Sequence, residues 1–377
     1  MSKIYLPHAD QFDRMNENLM RIASAIGADM DVSTWVGIQK AVRVGVAPNL
    51  IPVGTQLSVN HSVYGDMLFD VVAHNHFKSA YDENAHTMTL MCHDIIAKLQ
   101  YDAPEAFYCA TAELPVGTYN FTVANTYEQW AAGTYQFTLT RALPVGGRLC
   151  INSKSNTAMT SCRVLTYESG TSTSVIEDLP ITSGNGGSSL GTFGKELNHA
   201  HRVSYGSDNY KESAIRQFLN SSAEAGSVWC PQTKFDTCPD WVTSRAGFVN
   251  GLDDNFLAVV GEVVVPCATN AVYESPDSTV TIGSKYTVKD RFYLASMREI
   301  VMGITTVADD GSSQFTYYNN AESVDRVKYA DGGAYAWWTR SSYNNQASPV
   351  SDITATGGVT NHYAHHPFGI SPVCTIV

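Results

Sequence analysis

The chain has 377 residues, 44% of them hydrophobic and only 16% charged, with a formal net charge of −12. That length can bury at least one substantial core and is compatible with two or three domains. The excess of acid excludes a protein that grips nucleic acid by its phosphates, because that affinity rests on clustered Lys and Arg, and no basic run interleaved with aromatics occurs.

The first residues, Met1 to Met15, lack the apolar core of a secretory signal, and no apolar stretch approaches the ~20 residues needed to cross a bilayer. The expectation is a protein made in the cytoplasm, without membrane insertion, that reaches the outside by lysis or on a particle. Cys92, Cys109, Cys150, Cys162, Cys230, Cys238, Cys267 and Cys374 form no C-x-x-C pair. Free buried thiols are expected, rather than a zinc site or a disulfide scaffold.

In chain order, Phe12, Met15, Leu19, Ile22 and Ile26 have a 3-4-3-4 spacing closed by Gly27. This predicts a helix that either joins copies of the chain or packs on its own domain. A second helix, capped near Asp31 or Ser33, would present Trp35, Ile38 and Val42 on one face and end at Gly45. Residues 53–59 and 67–73 read as a hairpin over Tyr64-Gly65-Asp66, followed by an apolar run over 88–99. Residues 105–185 read as an all-β insert: 117–123 and 133–139 are near-copies that alternate large apolar and polar side chains, punctuated by two Leu-Pro-Val-Gly turns. The Gly- and Ser-rich stretch 183–194 reads as the linker out. Beyond it are expected a helix over 212–219, a strand over 257–265, and a strand over 291–296 that leads into a short helix at 297–300.

Motifs for catalysis and metal binding are weak. Gly187-Ser188-Ser189-Leu190-Gly191 matches the nucleophile pattern G-x-S-x-G but lies inside the linker stretch. His74-Asn75-His76 and His199-Ala200-His201 could each present two imidazoles, without a third ligand at fixed spacing. In Leu252-Asp253-Asp254-Asn255 the acids are adjacent and the glycine and closing glutamate of an EF-hand loop are missing. No Walker loop, dinucleotide fingerprint or catalytic-cysteine signature is present. The expectation is no enzyme, no cofactor and no metal.

The C-terminal stretch stands out. Between Tyr343 and Phe368 there is no Lys, Arg, Glu, Leu or Met, and the segment is built largely from Asn, Tyr, Ser, Thr, His, Asp, Pro and Phe. Many of these side chains serve antibody-like paratopes as adaptable hydrogen-bonding groups or rigid amphipathic contacts. The polar positions are interrupted by Ala347, Val350, Ile353, Gly357-Gly358, Val359, Ala364 and Gly369, which suggests a hairpin turning at Gly357-Gly358 with displayed side chains.

Trp337-Trp338-Thr339-Arg340-Ser341, the polar middle with Gly357-Gly358, and Gly369-Ile370-Ser371-Pro372 resemble the variable proteins of diversity-generating retroelements. Tyr205-Gly206-Ser207, the stretches 213–220 and 290–299, and Pro52-Val53-Gly54-Thr55-Gln56 are similar to further segments of the phage and gut-microbial group. The resemblance implies an α+β, loop-rich fold with a C-type-lectin-like domain of the formylglycine-generating-enzyme type. That domain would be split into 49–104 and 186–377, with a helical segment at 1–48, the insert at 105–185 and a variable region at 337–377. It implies a receptor-binding protein or adhesin, of a phage or prophage tail and working on the virion, that binds a bacterial surface protein or glycan as a homo-oligomer, most simply a trimer. The diversified, ligand-contacting positions would be Tyr343, Asn344, Asn345, Ser348, Pro349, Ser351, Asp352, Thr354, Thr360, Asn361, His362, Tyr363, His365, His366 and Phe368. Enzymes of the fold use paired cysteines, whereas Cys374 has no partner nearby in sequence. A formylglycine-generating-type enzyme and a purely structural virion protein are the rival readings.

Overall fold

The computed structural model describes residues 30–124, 126, 131–151, 161–168, 172–193, 202–233, 235–269, 284–343 and 347–377, together with Arg14 and Asn18; of 161–168, 172–176, 193 and 284 it describes the backbone alone. The rest of the helix expected over 12–26, the histidine pair His199 and His201, and Asn344, Asn345 and Gln346 lie outside the described residues.

The helix Trp35–Arg43 buries Ile38, Ala41 and Val42 on one face, as its spacing requires. Its cap is Thr34, whose hydroxyl accepts the Gly37 N–H at 3.1 Å, and Asp31 instead accepts from Ser33. Strands β1 (Gln56–His61) and β2 (Gly65–His74) form the expected hairpin, with Val59 opposite Met67. The apolar run over 88–99 is two strands, β3 (Met88–Cys92) and β4 (Ala97–Gln100), separated by a sharp bend.

The insert contains β5 (Ala106–Cys109), β6 (Gly117–Val123), β7 (Gly133–Leu139), β8 (Arg148–Ile151), β9 (Ser161–Glu168), β10 (Ser172–Pro180), β11 (Thr182–Ser183) and β12 (Ser188–Phe193). They form two four-stranded sheets, β10-β9-β8-β5 and β11-β7-β6-β12. Phe107, Leu149, Ile151 and Leu179 of one sheet pack against Phe121, Val123, Phe137 and Leu139 of the other, so the sandwich has its own core. The two near-copies are partners: β6 and β7 pair from Gly117 opposite Leu139 to Val123 opposite Gly133. The supposed linker belongs to this sheet, because β12 pairs parallel to β6. Its glycines serve close approach rather than flexibility. Asn120 donates to the carbonyls of Gly186 and Gly187 at 3.1 and 3.2 Å, and a Cβ on Gly187, at φ +73°, would meet the Thr118 oxygen at 1.7 Å.

After the insert, the helix Ala214–Asn220 starts at Ser213, which accepts from Arg216 N–H. The strand expected over 257–265 begins later. Asp253 caps the helix Asp254–Val259 by accepting from Phe256 N–H at 2.9 Å, and the adjacent acids are thus a helix start rather than a calcium loop. The chain then forms β13 (Val263–Thr269), β14 (Ser284–Asp290) and β15 (Phe292–Tyr293), the helix Met297–Ile300, and β16 (Lys328–Ala330) to β17 (Gly333–Tyr335). It finishes with β18 (Trp337–Ser342), β19 (Pro349–Ile353), β20 (Val359–Tyr363), β21 (Pro367–Ile370) and β22 (Val373–Ile376).

Two five-stranded sheets organise this larger part, β1-β2-β3-β22-β15 and β20-β19-β18-β21-β4. They are joined by one bent ribbon: β3 pairs with β22 in the first sheet, and β4 with β21 in the second. At the bend, Pro372 has no N–H to place, and the carbonyls that leave the ladder find other donors. Ser371 Oγ and Lys328 Nζ reach the Cys92 oxygen at 2.8 and 2.6 Å, and Lys328 also reaches the His93 oxygen at 2.7 Å. A buried lysine is thereby explained as a clamp on backbone carbonyls. The described chain is a strand-rich, loop-rich α+β fold, and none of its helices is long and apolar enough to cross a membrane.

A buried charge cluster sits where the insert leaves and rejoins. Arg202 Nε lies 2.9 Å from Glu105 Oε2 and its Nη2 2.9 Å from Glu212 Oε1, while Asp102 accepts from Ser207 N–H at 3.2 Å. Burial, then the charges of Asp236, Glu105 and Glu212, push the Asp102 carboxyl well above the usual range; burial and Glu105 push Asp236 up to about 7. Carboxyls raised in the folded state hold protons that the unfolded chain has released. Their contribution is therefore lost as pH rises from ~4, the ordinary Asp value, through about 7 for Asp236. Asp102→Asn keeps an acceptor for Ser207 and removes the carboxyl that must take up a proton to be buried. It is expected to raise stability at mildly alkaline pH by about 1–2 kcal/mol, with a smaller gain in mild acid, as read by urea unfolding at the two pH values. A loss of stability at both would contradict this account.

Candidate functional site

The C-terminal hairpin forms as its glycines require. Thr354 and Gly358 close the β19–β20 turn, with Thr354 Oγ1 accepting from Gly358 N–H at 2.9 Å. Gly357 has φ +77°, and a Cβ there would meet the Ser323 oxygen at 1.6 Å. Arg326 Nε donates to the Gly357 oxygen at 3.0 Å, and Trp337 Nε1 donates to the Arg326 oxygen at the same distance. The turn is therefore tied to the core through β18.

The candidate side chains divide into two groups. Ser348, Pro349, Ser351, Asp352 and His365 are buried, contrary to the expectation of displayed groups. For Pro349, Ser351 and Asp352 the reason is topological: β19 lies between β18 and β20, and all of its residues are covered; Ser348 directly precedes that strand, and His365 stacks on the Tyr205 ring. Small polar side chains fit an interior strand when the backbone beside them is satisfied, as where Thr339 Oγ1 donates to the Ser351 oxygen at 2.6 Å. Tyr343, Thr354, Thr360, Asn361, His362, Tyr363, His366 and Phe368 are partly exposed. Of these, Thr354 spends its hydroxyl on the turn.

Strand β20 and the turn to β21 bring the rings together. His362 lies 4.5 Å from Phe368 and 5.9 Å from His366 between ring centroids, and His365 lies 4.4 Å from His366. Tyr363 stacks on Tyr205 at 3.8 Å with the planes 7° apart, and His365 extends the stack at 5.4 Å. Tyr363 is thus held by packing as well as displayed. Tyr205 is the part of this site that sequence reasoning missed. Beneath the rings, His362 Nδ1 lies 2.9 Å from Oδ1 of Asp352, whose side chain is fully buried. The β19–β20 register places Asp352 opposite Thr360, so His362 is its diagonal neighbour on the same face. Burial pushes the Asp352 carboxyl up and His362 partly offsets this. Burial, and then His366, holds the His365 imidazole down at about 4; burial and His362 lower His366. The face therefore offers imidazoles, aromatic area and amide and hydroxyl groups over the buried Asp352 side chain.

The other candidates go to structural roles. His74 Nε2 lies 3.0 Å from the Ile51 oxygen, and His76 Nε2 lies 3.6 Å from Glu299, so the pair does not converge. Ser188 and Ser189 lie in β12 rather than on a strand-to-helix elbow. No disulfide joins the described cysteines; Cys230 is exposed, and Cys109 and Cys238 are partly so, which corrects the expectation that all are buried. Cys374 is fully buried in β22, and burial drives its thiol well above the usual range. A thiol so placed is chemically quiet.

Residues 180–377, more than half of the sequence, match the family described as Domain of unknown function (DUF6273). The chain belongs to this family. The matched DUF6273 segment spans β11 to β22 and hence the whole candidate face, but β4, which pairs with β21, comes from before the insert. No curated protein and no solved structure matches the chain.

Proposed function

We propose that this DUF6273 chain is a ligand-binding protein of the diversified kind, presenting a variable C-terminal surface on a C-type-lectin-like scaffold. It would attach, as a homo-oligomer on a phage or prophage tail, to a protein or glycan of a bacterial surface. One observation carries the reading. Thr360, Asn361, His362, Tyr363, His366 and Phe368 gather on β20, the turn after it and β21, partly exposed, without a lysine, arginine or glutamate among them, beside a fully buried β19. Side chains that vary in type but stand on a fixed frame lose little entropy on binding. Three weak faces joined in one assembly would gain avidity, so each face need not bind tightly. The contact set is narrower than composition suggested, because Ser348, Pro349, Ser351, Asp352 and His365 support the face from within.

Sequencing the DNA from the codon of Trp337 to well past that of Val377 tests the proposal. The expected result is a second, near-identical copy of this segment that differs at adenines, beside a reverse-transcriptase gene, with differences concentrated at the codons of the six exposed positions. A complete locus with no such copy overturns the diversified reading.

A further inference from the structure

We propose that His362 and His366 form a two-imidazole site for a divalent transition-metal ion of the Zn2+, Ni2+ or Cu2+ class, with Asp352 as the carboxylate behind the first ligand. Three features on the face lead there. The first is the separation of the rings. Two imidazoles that share one ion, with metal–nitrogen bonds of about 2.0–2.1 Å, place their centroids roughly 5–6 Å apart, and those of His362 and His366 are 5.9 Å apart.

The second is the hydrogen bond from behind. His362 Nδ1 lies 2.9 Å from Asp352 Oδ1; a carboxylate only accepts, so a neutral imidazole that donates from Nδ1 keeps Nε2 as the nitrogen that can ligate. A carboxylate on the far nitrogen of a histidine fixes its tautomer and raises its basicity, which is how metal-binding histidines are commonly supported. Asp352 is suited to that role: its side chain is fully buried, no lysine or arginine pairs with it among the described residues, and its second oxygen, Oδ2, has no hydrogen-bond partner there.

The third is the absence of competition. Phe368 packs 4.5 Å from His362 and 6.2 Å from His366 as an apolar floor, and Lys98, on the neighbouring β4, is turned to Asp331 at 3.0 Å and to the Tyr335 ring at 4.0 Å. Among the described residues no cluster of three or more His, Cys, Asp or Glu side chains could hold a metal. The site is thus a half-site with two protein ligands, and water or a donor atom of a bound partner completes the coordination. Imidazole suits zinc, nickel and copper, and two ligands give a readily exchanged ion rather than a structural one. The inference does not depend on diversification or on attachment: it is read with the ion alone, and either can fail while the other stands.

Titration calorimetry of the untagged chain with Ni2+, and separately with Zn2+, near neutral pH tests it. The expected result is one ion per chain with micromolar affinity, weakened at least tenfold by His362→Ala and by His366→Ala and several-fold by Asp352→Asn. The control His86→Ala, in the segment before β3 and beside Asn75, leaves it unchanged. Because a variant could misfold, the parent chain is also followed by its imidazole proton signals during addition of Ni2+. Selective broadening of two histidines, assigned as His362 and His366, supports the site. No binding by the parent chain, unchanged affinity in the His362→Ala/His366→Ala chain, or broadening centred on other histidines overturns it.

Discussion

Arg340→Ala is expected to remove about 3–5 kcal/mol of stability, a large share of the ~5–15 kcal/mol that holds an ordinary domain folded. All five N–H donors of this buried guanidinium are used. Two go to Glu299 at 2.8 and 2.6 Å, and the others to the oxygens of Leu294 (2.8 Å), Pro266 (3.0 Å) and Ser312 (3.1 Å). Glu299 in turn accepts the Ser296 N–H at 2.7 Å and closes the capping box of the helix Met297–Ile300. Removing the arginine leaves a carboxylate and three acceptors in the interior with nothing to replace water. Arg340→Met/Glu299→Gln removes both charges and is expected to cost less than Arg340→Ala alone, because the penalty is that of the unpaired charge. Equal losses for the single and double changes, measured by urea unfolding, would show that shape rather than charge matters here.

The same pair gives the acid limb of the stability curve. Burial opposes the charged form of Glu299, but Arg340, with His76 behind it, outweighs burial and holds the carboxyl at about 2. A folded-state value below the unfolded one contributes stability that is present above the ordinary glutamate range and is lost as pH falls toward 2. Asp102 and Asp236 act in the opposite sense between mild acid and neutrality. The greatest stability is therefore expected in mild acid, between the two effects.

The parts of this fold that could be read from sequence were those with a local cause. The hairpin of β1 and β2, the strands β6 and β7 and the turn at Gly357-Gly358 follow from alternation or from turn residues next to each other in the chain. What failed needed a distant partner. The glycines before β12 read as a flexible linker, whereas Asn120 and Thr118 receive them in the sheet. Within the candidate face, composition singled out the segment but could not separate Asp352 from His362. Which residue of a polar pair is buried depends on whether its strand is central or outer, and that depends on β18 and β4. Tyr205 carried a signal only as part of Tyr205-Gly206-Ser207, with nothing to say that its ring would meet Tyr363.

That dependence leads to the second large effect, at Trp338. Its indole is fully buried, packs edge-on against Tyr101 at 5.7 Å and Phe368 at 4.9 Å, and donates Nε1–H to the Leu99 oxygen at 3.1 Å. It therefore joins β18 to β4 directly under Phe368, the floor on which His362 rests. Trp338→Ala is expected to cost about 3–5 kcal/mol, whereas Trp338→Phe keeps most of the ring area and loses the hydrogen bond, at about 1–2 kcal/mol. A double-mutant cycle between Trp338→Phe and Phe368→Leu should show a coupling of about 0.5–1.5 kcal/mol, as expected for an edge-to-face pair. If the candidate face is held in shape by this contact, Ni2+ affinity should fall in Trp338→Phe although no ligand has been touched. An unchanged affinity together with zero coupling would mean that the face is supported from β19 and Asp352 alone.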